Sequence, residues 1–159
     1  MPKLTQDPIK QIPHLKSIAN LETLTNLIYF REVAEIKLMK GLMAKKIMEE
    51  GKAFFDVWMY EVSDEIQSFA TAFAERFVLE SALAQMATVE HAGAKQVLAS
   101  ATYLHCISLV AKNIDWYLLN GIVSVEAAQA LDQEVNQAVK AFVPHMNTAL
   151  EGFPMAKNP

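Results

Sequence analysis

A chain of 159 residues with 52% apolar side chains is long enough to bury the core of one domain. Its formal net charge is −4, with eight basic and six acidic residues through Glu50 and six basic and twelve acidic residues from Gly51 onward. That balance argues against a nucleic-acid-binding face, which needs clustered positive charge. The mean hydropathy of +0.14 is high for a small soluble monomer. It fits either a generous helical core or extra apolar surface made for a partner.

Residues 1–20 carry Pro2, Pro8 and Pro13 and read as an extended arm or linker, with Ile9, Ile12, Leu15 and Ile18 as its anchors. The domain proper spans 21–159. A first helix is expected from about Leu21 to Glu50. Its apolar stripe runs through Leu24, Leu27, Ile28, Leu38, Leu42 and Ile47, with Met39 and Met43 filling gaps, and Gly51 is its stop. A second helix is expected from about Phe55 to His91. Phe55, Trp58, Val62, Ile66, Phe69, Phe73 and Phe77 recur at an eleven-residue repeat that keeps one face of a straight helix. That face reads as the central wall of the core, ending at a break marked by Gly93.

The third helix, about Lys95 to Asn120, places Leu104, Ile107, Ala111, Ile114 and Leu118 at heptad spacing. A tight turn follows. Gly121 can take the left-handed conformation that closes a helix. Ser124 can accept a backbone N–H of the next helix, near whose positive end Glu126 sits. The fourth helix, about Val125 to Val143, repeats the heptad spacing with Ala128, Leu131, Val135, Ala138 and Phe142. Pro144 limits it, although helix can resume towards Leu150. The expected fold class is all-α, an antiparallel four-helix bundle with an extended N-terminal arm.

Chemistry is sparse. The residues three before His14, His91, His105 and His145 are Gln11, Thr88, Thr102 and Phe142, so no Glu-x-x-His pair exists to hold a di-metal centre. Five scattered glycines build no phosphate-cradling loop. The lone Cys106 fits a reducing compartment and a buried structural thiol. His105 reads as a core histidine. Glu75, Arg76 and Asp115 read as ion-pair partners that fix helix register, with interfacial or ligand-facing roles as the alternative. Met39, Met43, Met48 and Met59 read as flexible core filling. The uncharged run Val97 to Ala111 is shorter than the roughly 18 residues of a membrane span. No signal peptide is visible in the opening residues. The chain is therefore expected to be soluble and intracellular, with no membrane and no nucleic-acid partner.

Five stretches in order resemble one family. They are Tyr29-Phe30-Arg31-Glu32; Gly51-Lys52-Ala53-Phe54-Phe55-Asp56-Val57-Trp58; Ala74-Glu75-Arg76-Phe77-Val78-Leu79-Glu80; Asp115-Trp116-Tyr117-Leu118 with Gly121 and Ser124; and Pro144-His145 with Gly152-Phe153-Pro154. Together they resemble the C-terminal all-α domain of acyl-CoA oxidases from about Leu24 to Pro154. The pattern departs by one fewer basic residue near Arg31 and by a missing glycine before Trp116.

The resemblance implies Arg31, Glu32, Phe55, Asp56, Trp58, Glu75, Arg76, Asp115, Trp116, Gly121 and Pro144 as family-motif residues with structural roles. It implies an FAD enzyme that desaturates acyl-CoA thioesters to trans-2-enoyl-CoA and releases hydrogen peroxide. In that family the catalytic glutamate and the flavin-binding segment lie upstream of the matched region. No catalytic, cofactor-binding or metal residue is therefore expected in this chain, and FAD is expected only in the complete oxidase. The implied partner is the flavin-binding part of an oxidase, or a second copy of the chain in a dimer. The implied compartment is the cytoplasm, with the peroxisome as the alternative.

Overall fold

A computed structural model describes residues 18–152. Most of the expected arm and the Phe153-Pro154 ending lie outside the described residues. Within them the chain is all-helical, with no strand. The helices are α1 (Leu21–Ala44), α2 (Phe54–Asp56), α3 (Ser63–Thr88), α4 (Ala92–Lys112), α5 (Ile114–Leu119), α6 (Val125–Phe142) and α7 (Met146–Glu151). Two compact units share them: residues 26–78, and the residues on either side of that segment.

In the first unit, α1 and α3 form the two arms of a hairpin. Asn20 opens α1 by accepting the Thr23 N–H at 2.8 Å, satisfying one of the free donors of the first turn. α1 ends not in a regular turn but in a π-helical one, Lys45–Glu49, in which the Glu50 N–H reaches the Lys45 carbonyl at 3.3 Å. Gly51 then takes φ +67° and stops the helix, as its sequence position predicts. The buried apolar side chains are Leu27, Ile28, Phe30, Met39, Val57, Val62 and Ala72.

The second expected helix is corrected here. It does not run straight from Phe55. After α2 a second π-helical turn spans Val57–Glu61, and Val62 leaves helical geometry at φ −134°. The physical reason is local. Ser63, Asp64 and Glu65 favour a new helix start, and Val57 and Val62, both fully buried, pull this turn inward. The aromatic stripe is consequently not the core wall. Phe55 (62% exposed), Phe73 (45%) and Phe77 (57%) all face outward. Leu38, Met48 and Met59 are exposed as well, so of the expected gap-fillers Met39 is buried and Met43 half-buried.

In the second unit α4 and α6 pack closely. Apart from Leu131 their buried residues are small or β-branched, with Thr102, Cys106, Ile107 and Val110 from α4 and Ala127, Leu131 and Ala138 from α6. Each fully buried Leu or Ile contributes about 2 kcal/mol of apolar transfer free energy. The third expected helix is also corrected, because it breaks at Asn113. There the Asn113 side chain donates to the Leu109 carbonyl at 2.8 Å and competes with the helical ladder. The heptad reading points to a neighbouring face, since Cys106, Val110 and Tyr117 are buried more deeply than Leu104, Ala111 and Leu118. His105 is exposed and is not a core histidine.

The break before α4 comes earlier than Gly93. His91 caps the helix, its Nδ1 accepting the Ala94 N–H at 3.2 Å. A Cβ on Gly93 would stand 3.1 Å from the His91 ring, so the glycine makes room for that cap. At the far end Pro144 lies in a 3-10 turn, Val143–His145, and helix resumes as α7.

Candidate functional site

The strongest constellation among the described residues joins Arg31 and Glu32 on α1 to Glu75 and Arg76 on α3. Arg31 Nη1 donates to Glu75 Oε2 at 2.6 Å. Arg76 grips Glu32 with two bonds, Nε to Oε2 at 2.5 Å and Nη2 to Oε1 at 3.1 Å. Adjacent residues on α1 thus carry opposite charges, and so do adjacent residues on α3, and the pairs cross from helix to helix. All four side chains are at most 14% exposed. With so little water around them, the two charge-assisted pairs are strong, and each member depends on its partner.

The same register continues at the hairpin tip. Lys46 reaches Glu61 Oε2 at 2.6 Å, and Lys52 bridges Glu61 at 2.8 Å and Glu50 at 2.9 Å. The Lys46 and Lys52 ammonium groups hold the Glu61 carboxyl below its ordinary value, and Lys52 does the same for Glu50. The carboxylates in turn hold the Lys52 ammonium above its own. Partners are 44 residues apart at Arg31 and Glu32 and 15 apart at Lys46, which fixes an antiparallel hairpin. Around this frame lie exposed aromatics. Phe54 stacks on Trp58 with ring centres at 5.8 Å, and Phe55 meets Tyr60 edge-on at 6.5 Å. Asp56 is exposed beside them.

On α3 the polarity is inverted. Glu75 and Arg76 turn inward, while from Gln67 to Thr88 no exposed residue is charged. Phe73 lies under the Arg76 guanidinium at 4.9 Å and tilts against Phe69 at 6.4 Å. It also stacks on Phe77 at 6.3 Å.

In the other unit the turn after α5 is a Schellman motif. The Ile122 N–H reaches the Tyr117 carbonyl at 2.9 Å, the Gly121 N–H reaches Leu118 at 3.0 Å, and Gly121 has φ +65°. Ser124 then caps α6 by accepting the Ala127 N–H at 3.2 Å. The Glu126 carboxyl is held low first by its own backbone N–H and then by the Ser124 hydroxyl. Tyr117 is buried to 1% exposure, with Trp116 edge-on to it at 5.3 Å. Asp115 is exposed and forms no salt bridge among the described residues.

The structure therefore brings Arg31, Glu32, Glu75 and Arg76 together. It places Phe55, Asp56 and Trp58 at the hairpin tip, Asp115, Trp116 and Gly121 at the Schellman turn, and Pro144 alone in an exposed turn. The Lys46–Glu61–Lys52 cluster went unread in the sequence. It becomes legible only once Arg31 is paired with Glu75, because that register puts residue 46 opposite residue 61. Glu35, buried at 4% exposure one turn past Arg31, was likewise not anticipated.

Gly51 and Gly121 are spent as helix stops, Gly93 accommodates a cap, and the N-termini of α4 and α6 are filled by His91 and Ser124. No group of three or more His, Cys, Asp or Glu among the described residues could hold a metal ion, and no helix there is long and apolar enough to cross a membrane.

These features define an all-helical chain in which four charges are drawn inward between α1 and α3 while phenylalanines of α3 lie outward. A sequence model of the acyl-CoA oxidase family matches residues 20–150, and the chain belongs to that family. Neither the curated proteins nor the solved structures hold a significant match to it.

Proposed function

We propose that this chain is the C-terminal helical domain, or a separate subunit, of an acyl-CoA oxidase-type flavoenzyme. The whole enzyme would desaturate fatty acyl-CoA to trans-2-enoyl-CoA with release of hydrogen peroxide. The part played by this chain is structural: it packs on the flavin-carrying part and supports the dimer, without catalysis of its own. The observation that carries the reading is the family match over residues 20–150. The exposed residues of α3 from Gln67 to Thr88, uncharged and partly aromatic, support it, because such a surface suits burial against protein.

The finer architecture belongs to the same reading. α1, α3, α4 and α6 are the long helices of an antiparallel four-helix bundle, with residues 1–20 as its arm and 21–159 as its domain. The motif residues Arg31, Glu32, Phe55, Asp56, Trp58, Glu75, Arg76, Asp115, Trp116, Gly121 and Pro144 act as packing and register residues. A second reading, a free-standing homodimeric interaction protein, is favoured by the absence of charge on that same exposed face.

The test is to co-express the chain with the flavin-carrying part of an acyl-CoA oxidase. The proposal expects co-purification, and peroxide release from acyl-CoA and oxygen by the complex alone. The chain by itself should be colourless and inert. A yellow, flavin-loaded preparation of the chain alone would overturn the reading.

A further inference from the structure

We infer that Glu35 on α1 is the receptor for a basic side chain, an arginine or a lysine, presented by the flavin-carrying part of the oxidase. The inference rests on the function proposed above and names one polar contact through which this chain would be held.

Glu35 is 4% exposed and lies one turn past Arg31. It has no hydrogen bond or ion pair among the described residues, whereas Arg31, Glu32, Glu75 and Arg76 are all paired. Two arginines thus stand against three glutamates, and this inward-turned set is one cation short. Among the described residues, no side-chain oxygen or nitrogen that is sealed from solvent lacks a partner. The unpartnered Glu35 oxygens are therefore not sealed, and the little exposure that the residue keeps includes them. The carboxylate looks out through a narrow opening.

No cation of the hairpin is placed to answer it. Arg31 is held by Glu75 at 2.6 Å, and Arg76 is held by Glu32 through two bonds. The register of these pairs sets the buried Ala72 across from Glu35, and the next buried residue of α1 is Met39. Neither side chain can donate a hydrogen bond. Lys37 and Lys40 are exposed, and they stand two and five residues along, spacings that do not share a helix face.

The chemistry of the occupant follows. An ionised carboxylate withdrawn from water is costly unless a cation or a donor meets it. A lone carboxylate is no chelate, and no group of three or more His, Cys, Asp or Glu among the described residues could hold a metal ion. A long basic side chain suits the site better. Its apolar stem fits a narrow opening while its charged head reaches the carboxylate. The chain carries a net charge of −4, which favours a basic surface on a different protein over a second copy.

Glu35→Gln keeps the shape of the side chain and removes its charge, and Glu35→Met removes its acceptors as well. Binding of the whole chain to the flavin-carrying part of an acyl-CoA oxidase is followed by surface plasmon resonance, and stability of the free chain by urea unfolding. Glu35→Gln should weaken the complex about thirtyfold or more, mostly through faster dissociation, as loss of one member of a buried charge pair does. The free chain should lose no stability with either substitution, because no partner within it is stranded.

A free variant that unfolds as readily as one lacking Glu75 would have its Glu35 partner inside the chain, which overturns the inference. A complex that keeps the parent affinity with both substitutions also overturns it, and the proposed function then stands without it. A parent chain that does not bind the flavin-carrying part overturns both. Self-association lost on Glu35→Gln would give the cation to a second copy and overturn the assignment to the oxidase.

Discussion

Arg31 and Glu75 meet at 2.6 Å across the α1–α3 hairpin, with Glu32 and Arg76 crossing in the opposite sense one residue along. Because both pairs are largely shielded from water, each charge is tolerated only while its partner is present. Glu75→Ala strands the Arg31 guanidinium and should destabilise the fold by ~3 kcal/mol. Replacing both with Met and Leu should recover most of that loss. Urea unfolding of the single and double variants gives the comparison. A single variant as stable as the parent would mean that the pair is not holding the hairpin.

Tyr117 closes the Schellman turn with its carbonyl and fills the core with its ring. Tyr117→Ala should cost ~4 kcal/mol, in the range of other large aromatic truncations. Trp116→Ala removes an edge-on partner from a half-buried position and should cost only ~1 kcal/mol. Thermal unfolding of the two variants should rank them in that order. The opposite ranking would place the anchor of the turn on Trp116.

Burial pushes the Cys106 thiol up to about 11, which leaves almost no thiolate at neutral pH. A thiol reagent at pH 8 should therefore label the native protein far more slowly than the protein in urea, with the slow rate following global opening. Rapid labelling of the native chain would show that Cys106 is accessible.

The tip cluster sets a pH window. Glu61 and Glu50 titrate below their ordinary value of 4.5, so their stabilisation is full above that value and fades as pH falls through the lowered one. Lys52 titrates above 10.5, so its stabilisation is full below that value and fades as pH rises through the raised one. The contribution of the cluster to stability should be flat between roughly pH 5 and pH 10 and decline on both sides. Lys52→Met should shrink both declines. The cluster is largely hydrated, so the changes should be small and should diminish further in salt.

Helix content, the stops at Gly51 and Gly121, the cap at Ser124 and the burial of Cys106 were legible because each is local. The second helix was misread for the opposite reason. A repeat of Phe55, Trp58, Val62, Ile66, Phe69, Phe73 and Phe77 reports that one face is apolar, but not whether that face is turned inward. Here Arg31 and Glu32 claim the inner side of α3 through Glu75 and Arg76, and the phenylalanines take the outer side. The break before Ser63 was written in the run Ser63-Asp64-Glu65, and the aromatic period concealed it. Asn113 broke the third helix through a side-chain bond that spacing cannot reveal.

The two π-helical turns flanking Gly51 carry a further implication. In each, a backbone N–H reaches the carbonyl five residues back, from Glu50 to Lys45 and from Val62 to Val57, so each turn holds one residue more than a regular turn needs. The hairpin tip thus stores spare length at both of its corners. A single-residue deletion there can be absorbed by tightening a turn, leaving the phase of α1 and α3 intact. The same deletion between Glu32 and Ala44 would rotate Lys46 about 100° away from Glu61. The tip is where this chain can change length without losing its fold.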